Sequence, residues 1–314
     1  MKFSIVKNLR SIWGSIQYHY FRRLYENDPQ SAADELFKRV YGRPMDMITP
    51  KHLIEKITWL QFNTDTSLWT LCADKFRMRE YVNHCGLSSY LPILYGHWDN
   101  LDSFNISTLP NEFVLKANNG CGTVIIVKDK TKIEVNALIK TMKSWLSRPY
   151  GYHGAQTHYL RIKPCILAEE VLSNTGVQKT LSPLSLIDYK IWCFNGEPEC
   201  CLITYNRTAK GIYIDMYDLQ WNRIDNFLQG TSHCHLNKDI LIPKPICWEE
   251  MLKIAKTLAQ PFQEVRVDLY VVNDKPYIGE LTFTSGYGYF TEDYYNFLGN
   301  KIELPITMKS NNNI

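Results

Sequence analysis

The sequence predicts an α+β protein with a mainly helical N-terminal region. Three observations predict it. Residues 1 to about 90 carry apolar side chains at helical spacing. From Glu112 onward, short β-branched and aromatic runs follow one another, separated by Gly, Asn and Asp. Two helical stretches, 135–146 and 248–261, interrupt these runs.

The elements follow in order. Ser31 reads as a cap before apolar residues at helical spacing. Pro50 opens a second segment with Leu53, Ile54, Ile57 and Leu60 on one face, and Asp74 to Val82 continues in the same style. Strands are expected at 112–116 and 123–127, then at 165–172, 188–194, 198–205 and 211–217. Two last strands, 264–272 and 277–283, close the core. Gly, Ser and Asn at 173–176 and 310–313 read as a loop and a frayed tail.

Composition narrows the function classes. Hydrophobic residues make up 45% of the 314, enough to bury a sizeable core. A net charge of +3 argues against a dedicated nucleic-acid binder. The nine cysteines form no repeated CxxC pair and read as buried thiols of a reducing, cytoplasmic compartment. His233-Cys-His235 has no second ligand pair at zinc-finger spacing and reads as a polar loop. No apolar run reaches the roughly 20 residues of a membrane span. The first 25 residues are basic and aromatic, with Lys2, Lys7, Arg10, Arg22 and Arg23 preceding any acid. They suit either an anionic inner-membrane surface or a helix packed on its own protein; the packed helix is expected.

Four motifs carry chemistry. Val265 to Thr282 reads as a hairpin turning at Asn273-Asp-Lys275. With Asp274 at the midpoint, Asp268 falls opposite Glu280, and Arg266 opposite Thr282. Strand alternation places Arg266 and Asp268 on one face, with cross-strand neighbours about 5 Å apart. Two carboxylates that close suit a hard cation such as Mg²⁺; a salt-bridged surface hairpin shows the same pattern. Phe113-Val-Leu-Lys116, followed by Asn118-Asn-Gly-Cys-Gly-Thr123, puts a lysine and two turn glycines where backbone N–H groups approach a phosphate; a plain glycine hairpin also accounts for it. Ile166-Leu-Ala-Glu-Glu-Val-Leu172 offers a strand edge for an adenine, or a strand with solvated acids. Asp188-Tyr-Lys-Ile-Trp192 puts Asp188, Lys190 and Trp192 on one face before an Asn195-Gly196 turn, and Lys190 with Arg207 suits an anion or stands as two exposed bases.

Taken in order, these motifs resemble the ATP-grasp proteins of bacterial cell-surface polysaccharide biosynthesis, of the teichuronopeptide type. The resemblance runs from about Glu55 to Pro305. It is carried by Ala73-Asp-Lys-Phe-Arg-Met-Arg-Glu-Tyr-Val82, Phe113-Val-Leu-Lys116, Ala168-Glu-Glu170, Asp188-Tyr-Lys190, Arg266-Val-Asp-Leu-Tyr270 and Gly279-Glu-Leu-Thr-Phe283. It implies two α+β lobes clasping ATP between antiparallel sheets: a helical region at 1–90, a first lobe at 91–172, a second lobe with the metal site at 173–305, and a tail at 306–314. Lys75 and Lys116 would bind the nucleotide, with Gly120, Gly122 and Thr123 in the mobile phosphate loop. Glu169, Glu170, Val171 and Leu172 would form the hinge against adenine, and Lys190 would face the phosphates. Asp268 and Glu280 would hold Mg²⁺, with Thr282 where the family often has a metal-binding asparagine. Arg266, Arg207 and Lys190 would carry the catalytic charge. The usual ribose acid after the hinge is missing, leaving Ser173, Asn174 or a backbone group to replace it.

The resemblance implies that a carboxylate is activated as an acyl phosphate and captured by an amine. The substrate would be a sugar acid, amino acid or glycan carboxylate of a surface polysaccharide such as a capsule. A glycosyltransferase, a kinase of the same pathway and a non-catalytic nucleotide sensor are the rival readings. The Lys75 and Lys116 pair with a glycine turn speaks against the first, and intact Asp268 and Glu280 against the last.

Overall fold

The computed structural model describes residues 2–305 except 238, with side chains from residue 14 onward. The expected tail, 306–314, lies outside the described residues, as do the side chains of the basic stretch up to residue 13.

Five helices come first: α1 (Lys2–Asn27), α2 (Pro29–Tyr41), α3 (Leu53–Asn63), α4 (Ser67–Ala73) and α5 (Met78–His84). Asp28, not Ser31, caps α2. Its carboxylate accepts from the backbone of Gln30 and Ser31, and Pro29 takes the first position, where no N–H is needed. The continuous helix expected over 74–82 is broken, because Asp74 ends α4 and its side chain caps the following turn. The second half of α1 packs on its own protein. Phe21 is fully buried, Tyr18 and Tyr25 lie edge-on to Tyr152, and Arg148 covers Tyr18. No described helix is long and apolar enough to cross a membrane.

The first sheet holds β1 (Leu94–Trp98), β2 (Phe113–Ala117), β3 (Val124–Val127) and β4 (Ile166–Glu169), in the order β1-β4-β2-β3, all antiparallel. β1 was not expected: it is short and contains Gly96 at a register shift. β4 ends at Glu169, three residues short of the expected strand, so Val171 and Leu172 lie in an irregular segment. Phe113, Leu115 and Ala117 pack with Leu138 and Met142 of α6 (Val135–Leu146). The opposite face carries Val114, Lys116, Val124, Ile126 and Glu169, which share a side through the pairs Val114↔Ile126, Lys116↔Val124 and Val114↔Glu169.

After the short helices α7 (Thr157–Leu160) and α8 (Gly176–Leu181) comes the second sheet: β5 (Asp188–Phe194), β6 (Glu197–Thr208), β7 (Gly211–Tyr217), β8 (Cys234–Leu236), β9 (Glu264–Val272) and β10 (Lys275–Thr282). Its order is β10-β9-β5-β6-β7-β8, with only the β7–β8 pair parallel. His233-Cys-His235 is therefore no loop: Cys234 and His235 belong to the edge strand β8, and Cys234 is buried. The helix α9 (Trp248–Ala259) packs across β5, β6 and β9. The unexpected α10 (Glu292–Gly299), capped by the Thr291 hydroxyl, lies against α3.

The β9–β10 hairpin reaches the expected register by another route. Asn273 and Asp274 both have positive φ, the geometry of a two-residue turn, and Lys275 already pairs with Val272. A bulge at Gly279 then adds the missing residue, so that Glu280 faces Asp268 and Thr282 faces Arg266. A Cβ on Gly279 would meet the Tyr270 ring at 2.7 Å, so glycine lets the bulge close on that ring.

Candidate active site

Alternation along β9 places Glu264, Arg266, Asp268 and Tyr270 on one face. Lys190 on β5 is paired with Asp268 in register. Its ammonium bonds Asp188 and Asp268, each at 2.5 Å, and the residue is 5% exposed. Arg266 grips Asp268 with two parallel bonds, at 2.6 and 2.7 Å, and donates to the Thr282 hydroxyl at 3.1 Å. Glu280 meets Lys75 at 3.0 Å and Arg266 at 3.9 Å, and its carboxylate is 27% exposed. Three carboxylates (Asp188, Asp268, Glu280) thus interlock with three cations (Lys75, Lys190, Arg266), and the cluster is charge-balanced.

Burial opposes ionisation of Glu280, but Lys75, Lys190 and Arg266 outweigh it and hold the carboxyl far below its ordinary range. Asp188 moves the other way. Burial raises it, and the nearby Asp268 and Glu280 charges add to this against Lys190. One oxygen of Asp188 is buried with no hydrogen-bond partner.

Lys75 ties this cluster to the glycine turn. It sits between α4 and α5; its N–H donates to Asn118 O at 2.9 Å and its ammonium to Gly120 O at 2.7 Å. Asn118 is fixed in turn, accepting from Cys165 N and donating to Lys163 O. Gly120 and Gly122 both have positive φ, and a Cβ on Gly120 would fall 2.5 Å from the Tyr150 ring. Thr123 follows at the entry to β3, half-buried. We expect Gly120→Ala to displace Tyr150 and weaken nucleotide binding, with Gly122→Ala losing less because open space surrounds it. Nucleotide titration of the two variants checks this; equal losses would contradict it.

Lys116 has a counter-ion of its own. It is paired with the buried Glu169 at 2.5 Å, and Arg79 reaches the same carboxylate at 3.3 Å. Glu170 turns away: its carboxylate accepts from Ile93 N at 2.8 Å, and its own N–H donates to Ile93 O. Asn174 is committed to the loop backbone, donating to Ser182 O and Ser185 O and accepting from Ile187 N. Lys190 and Arg207, expected either to reach one anion or to stand as two exposed bases, have different surroundings. Lys190 is locked between carboxylates, whereas Arg207 is exposed near the end of β6, with no hydrogen-bond or ion-pair partner to its guanidinium among the described residues and its charge acting on Tyr270.

Arg79 and Tyr150 are site neighbours that the sequence reading did not assign. Arg79 stands four residues after Lys75 inside Ala73–Val82, a spacing that could have flagged it; Tyr150 has no such signal. Asp188 gave its face but not its orphaned oxygen.

Glu264 sits farther along β9, 1% exposed. Burial pushes its carboxyl well above the ordinary range despite Arg266 and a bond from Ser285 at 3.4 Å. The unfolded chain ionises first as pH rises, so this group stabilises the fold fully below the ordinary carboxylate range. That contribution is lost as pH climbs from there toward the folded-state value, by about 1.4 kcal/mol per pH unit at most. Glu264→Gln is expected to flatten the fall in melting temperature between acidic and mildly alkaline pH; parallel curves for variant and wild type would contradict it.

Among the described residues no three or more His, Cys, Asp or Glu gather as a metal cage. The donors are two opposed carboxylates, Asp268 and Glu280, plus the orphaned oxygen of Asp188 nearby. All are hard oxygens, and Mg²⁺ needs only one or two protein carboxylates when phosphates complete its shell. The residues present fit that ion.

A family model described as TupA-like ATPgrasp matches residues 55–303. Nothing among the curated proteins matches the chain. Solved structures give distant likenesses. The chain is 13% identical to the L-amino acid ligase from Bacillus licheniformis, covering 84% of this chain and 55% of that one, with a TM-score of 0.45. It is 12% identical to an ADP complex of N5-carboxyaminoimidazole ribonucleotide synthetase, covering 75% and 52%, with a TM-score of 0.44. It is 16% identical to the D-alanine–D-alanine ligase from Bacillus anthracis, covering 69% and 58%, with a TM-score of 0.43. The chain therefore spans just over half the length of these proteins.

Proposed function

The chain belongs to the TupA-like ATP-grasp family, and from that premise we propose that it is an ATP- and Mg²⁺-dependent ligase. It joins a carboxylate to an amine through an acyl phosphate, with a sugar acid or amino acid of a bacterial surface polysaccharide as substrate. One observation carries the reading: Lys75, Lys190 and Arg266 converge on Asp268 and Glu280, and Lys75 links that cluster to the glycine turn.

Asp268 and Glu280 would hold the metal from opposed strands, with the Thr282 hydroxyl beside them. When bound, Mg²⁺ neutralises charge on the β- and γ-phosphates as the phosphoryl group moves. With that charge supplied, Lys75 and Lys190 would be free to turn toward a phosphate, Lys190 keeping Asp188 as a partner. The N–H groups of the 120–123 turn approach the same phosphates because the glycines leave room. Arg266 stays bidentate on Asp268 and presents its charge where the transferred phosphoryl and the attacking carboxylate meet. An adenine would bury the apolar strip of Val114, Val124 and Ile126. Val124 is 52% and Ile126 57% exposed beside Lys116, two apolar side chains side by side on an open sheet face. The irregular backbone of 171–172 lies just past the end of β4, where an adenine edge would find N–H and C=O groups outside the strand ladder. A general base is not needed for this chemistry, which rests on positioning and charge.

Mg-ATP at about 100 times its dissociation constant should stabilise the protein by roughly 2.7 kcal/mol. A melting scan checks it. A shift with a UDP-sugar and none with millimolar Mg-ATP would overturn the reading in favour of a glycosyltransferase. Incubating sugar acids and amino acids with ATP, then measuring ADP release and product mass, identifies the carboxylate and the amine.

A further inference from the structure

Each cation of the proposed phosphate site is occupied in this structure. Lys75 holds Glu280, Lys190 holds Asp188 and Asp268, and Lys116 holds Glu169. For the first two, a cation held by Asp268 and Glu280 would replace the lysine charge on those carboxylates. No metal stands near Glu169 in the proposed arrangement, because it lies on the first sheet with Lys116. Turning Lys116 toward a phosphate would leave a carboxylate that is 5% exposed without a counter-ion, and burying an unpaired charge is costly.

Arg79 answers this. It rises from the second residue of α5, four residues after Lys75, with one guanidinium nitrogen 3.3 Å from Glu169 Oε1 and another bonded to Pro92 O at 2.8 Å. Lys116 uses the other oxygen, Oε2. The two cations therefore do not compete for one atom, and Lys116 can leave without disturbing the Arg79 contact. The two side chains are about equally exposed, 18% for Lys116 and 19% for Arg79, but only Arg79 has a second bond, to the backbone ahead of β1. One cation is placed to move and the other to stay.

We propose that Arg79 is a positioning residue for nucleotide binding: it neutralises Glu169 when Lys116 leaves that carboxylate for a phosphate. The inference rests on the ATP reading above. It assigns Arg79 no contact with the nucleotide; it acts through Glu169 and Lys116. Loss of Arg79 leaves Lys116 as the sole partner of a buried acid and so holds Lys116 away from ATP.

The test is a double-mutant cycle read by calorimetric titration of the full chain with Mg²⁺ and the non-hydrolysable analogue AMPPNP. Arg79→Gln should bind the analogue roughly 10- to 100-fold more weakly, the value of a hydrogen bond to a charged group. Glu169→Gln removes the charge that detains Lys116 and should tighten binding. Adding Arg79→Gln to Glu169→Gln should then cost nothing further. A residue that merely stabilises α5 would weaken binding equally in both backgrounds, and that result would overturn the proposal. So would weaker binding by Glu169→Gln alone, a variant that tests the idea even if Arg79→Gln fails to fold. Wild-type protein that binds no Mg-AMPPNP would instead refute the ATP reading itself, so the two failures are distinguishable.

Discussion

Glu280→Gln protein is expected to fold and melt close to wild type while turning over ATP about a thousandfold more slowly. The rate effect follows from the several kcal/mol of charge stabilisation that a metal supplies in phosphoryl transfer, at about 1.4 kcal/mol per factor of ten. The stability effect is small, about 1 kcal/mol, because the Lys75–Glu280 pair is partly open to solvent and Lys75 keeps its bond to Gly120. Asp268→Asn should lose turnover as severely but also lose stability. On sequence grounds alone, two facing carboxylates repel, and removing one charge relieves the fold. The structure reverses that argument for Asp268. It is 1% exposed and is the shared partner of Arg266 and Lys190, so neutralising it takes the bidentate partner from Arg266 and leaves Lys190 with Asp188 alone, at a cost of about 3–5 kcal/mol. Chemical denaturation and a coupled ADP-release assay on both variants check these outcomes. Wild-type turnover by Glu280→Gln would withdraw the metal assignment and leave Arg266–Asp268 as a structural ion pair.

Legibility in the sequence tracked how local each signal was. Alternation along Arg266-Val-Asp-Leu-Tyr270 gave the face, and the twelve-residue spacing gave the Asp268–Glu280 pairing. The turn itself was misread, because nothing marks Gly279 as a bulge until the Tyr270 ring is seen against it. Asn273-Asp274 tolerates left-handed backbone as a pair, which shortens the turn by one residue, and the bulge restores the count. The first lysine and glycine turn were legible as types, but not the Lys75–Gly120 bond across 45 residues. Tertiary partners decided the rest. Glu169 and Glu170 are adjacent and chemically identical. One is buried between Lys116 and Arg79 and the other caps Ile93, a difference set by strand alternation and by where β4 ends. β1 escaped notice because its half-exposed residues and Gly96 give no apolar run. α10 was hidden because its buried face is built from tyrosines, which also suit strands.

Lys190→Met is expected to uncouple metal binding from nucleotide binding. With Lys190 present, three carboxylates face three cations; without it, the cluster carries one net negative charge. Mg²⁺ alone should then bind more tightly than to wild type, since Asp268 keeps only Arg266 as a partner. Mg-ATP, itself anionic, should bind more weakly, because a phosphate ligand is gone and the residual charge repels it. Stability should fall by about 3–5 kcal/mol at neutral pH, the cost of breaking a buried ion pair by removing one partner. The pH dependence has a definite sign. Asp188 is already held above its ordinary range by burial, Asp268 and Glu280, with Lys190 opposing. Removing that opposition raises it further, so the folded variant takes up a proton that the unfolded chain still lacks. The variant should therefore regain stability as pH falls from 8 toward 5, more steeply than wild type does. Melting scans at both pH values, with Mg²⁺ alone and with Mg-AMPPNP, measure all four effects. A methionine variant that tightens toward nucleotide and metal together, or that loses the same stability at both pH values, would show that Lys190 is not the counter-ion on which this site is balanced.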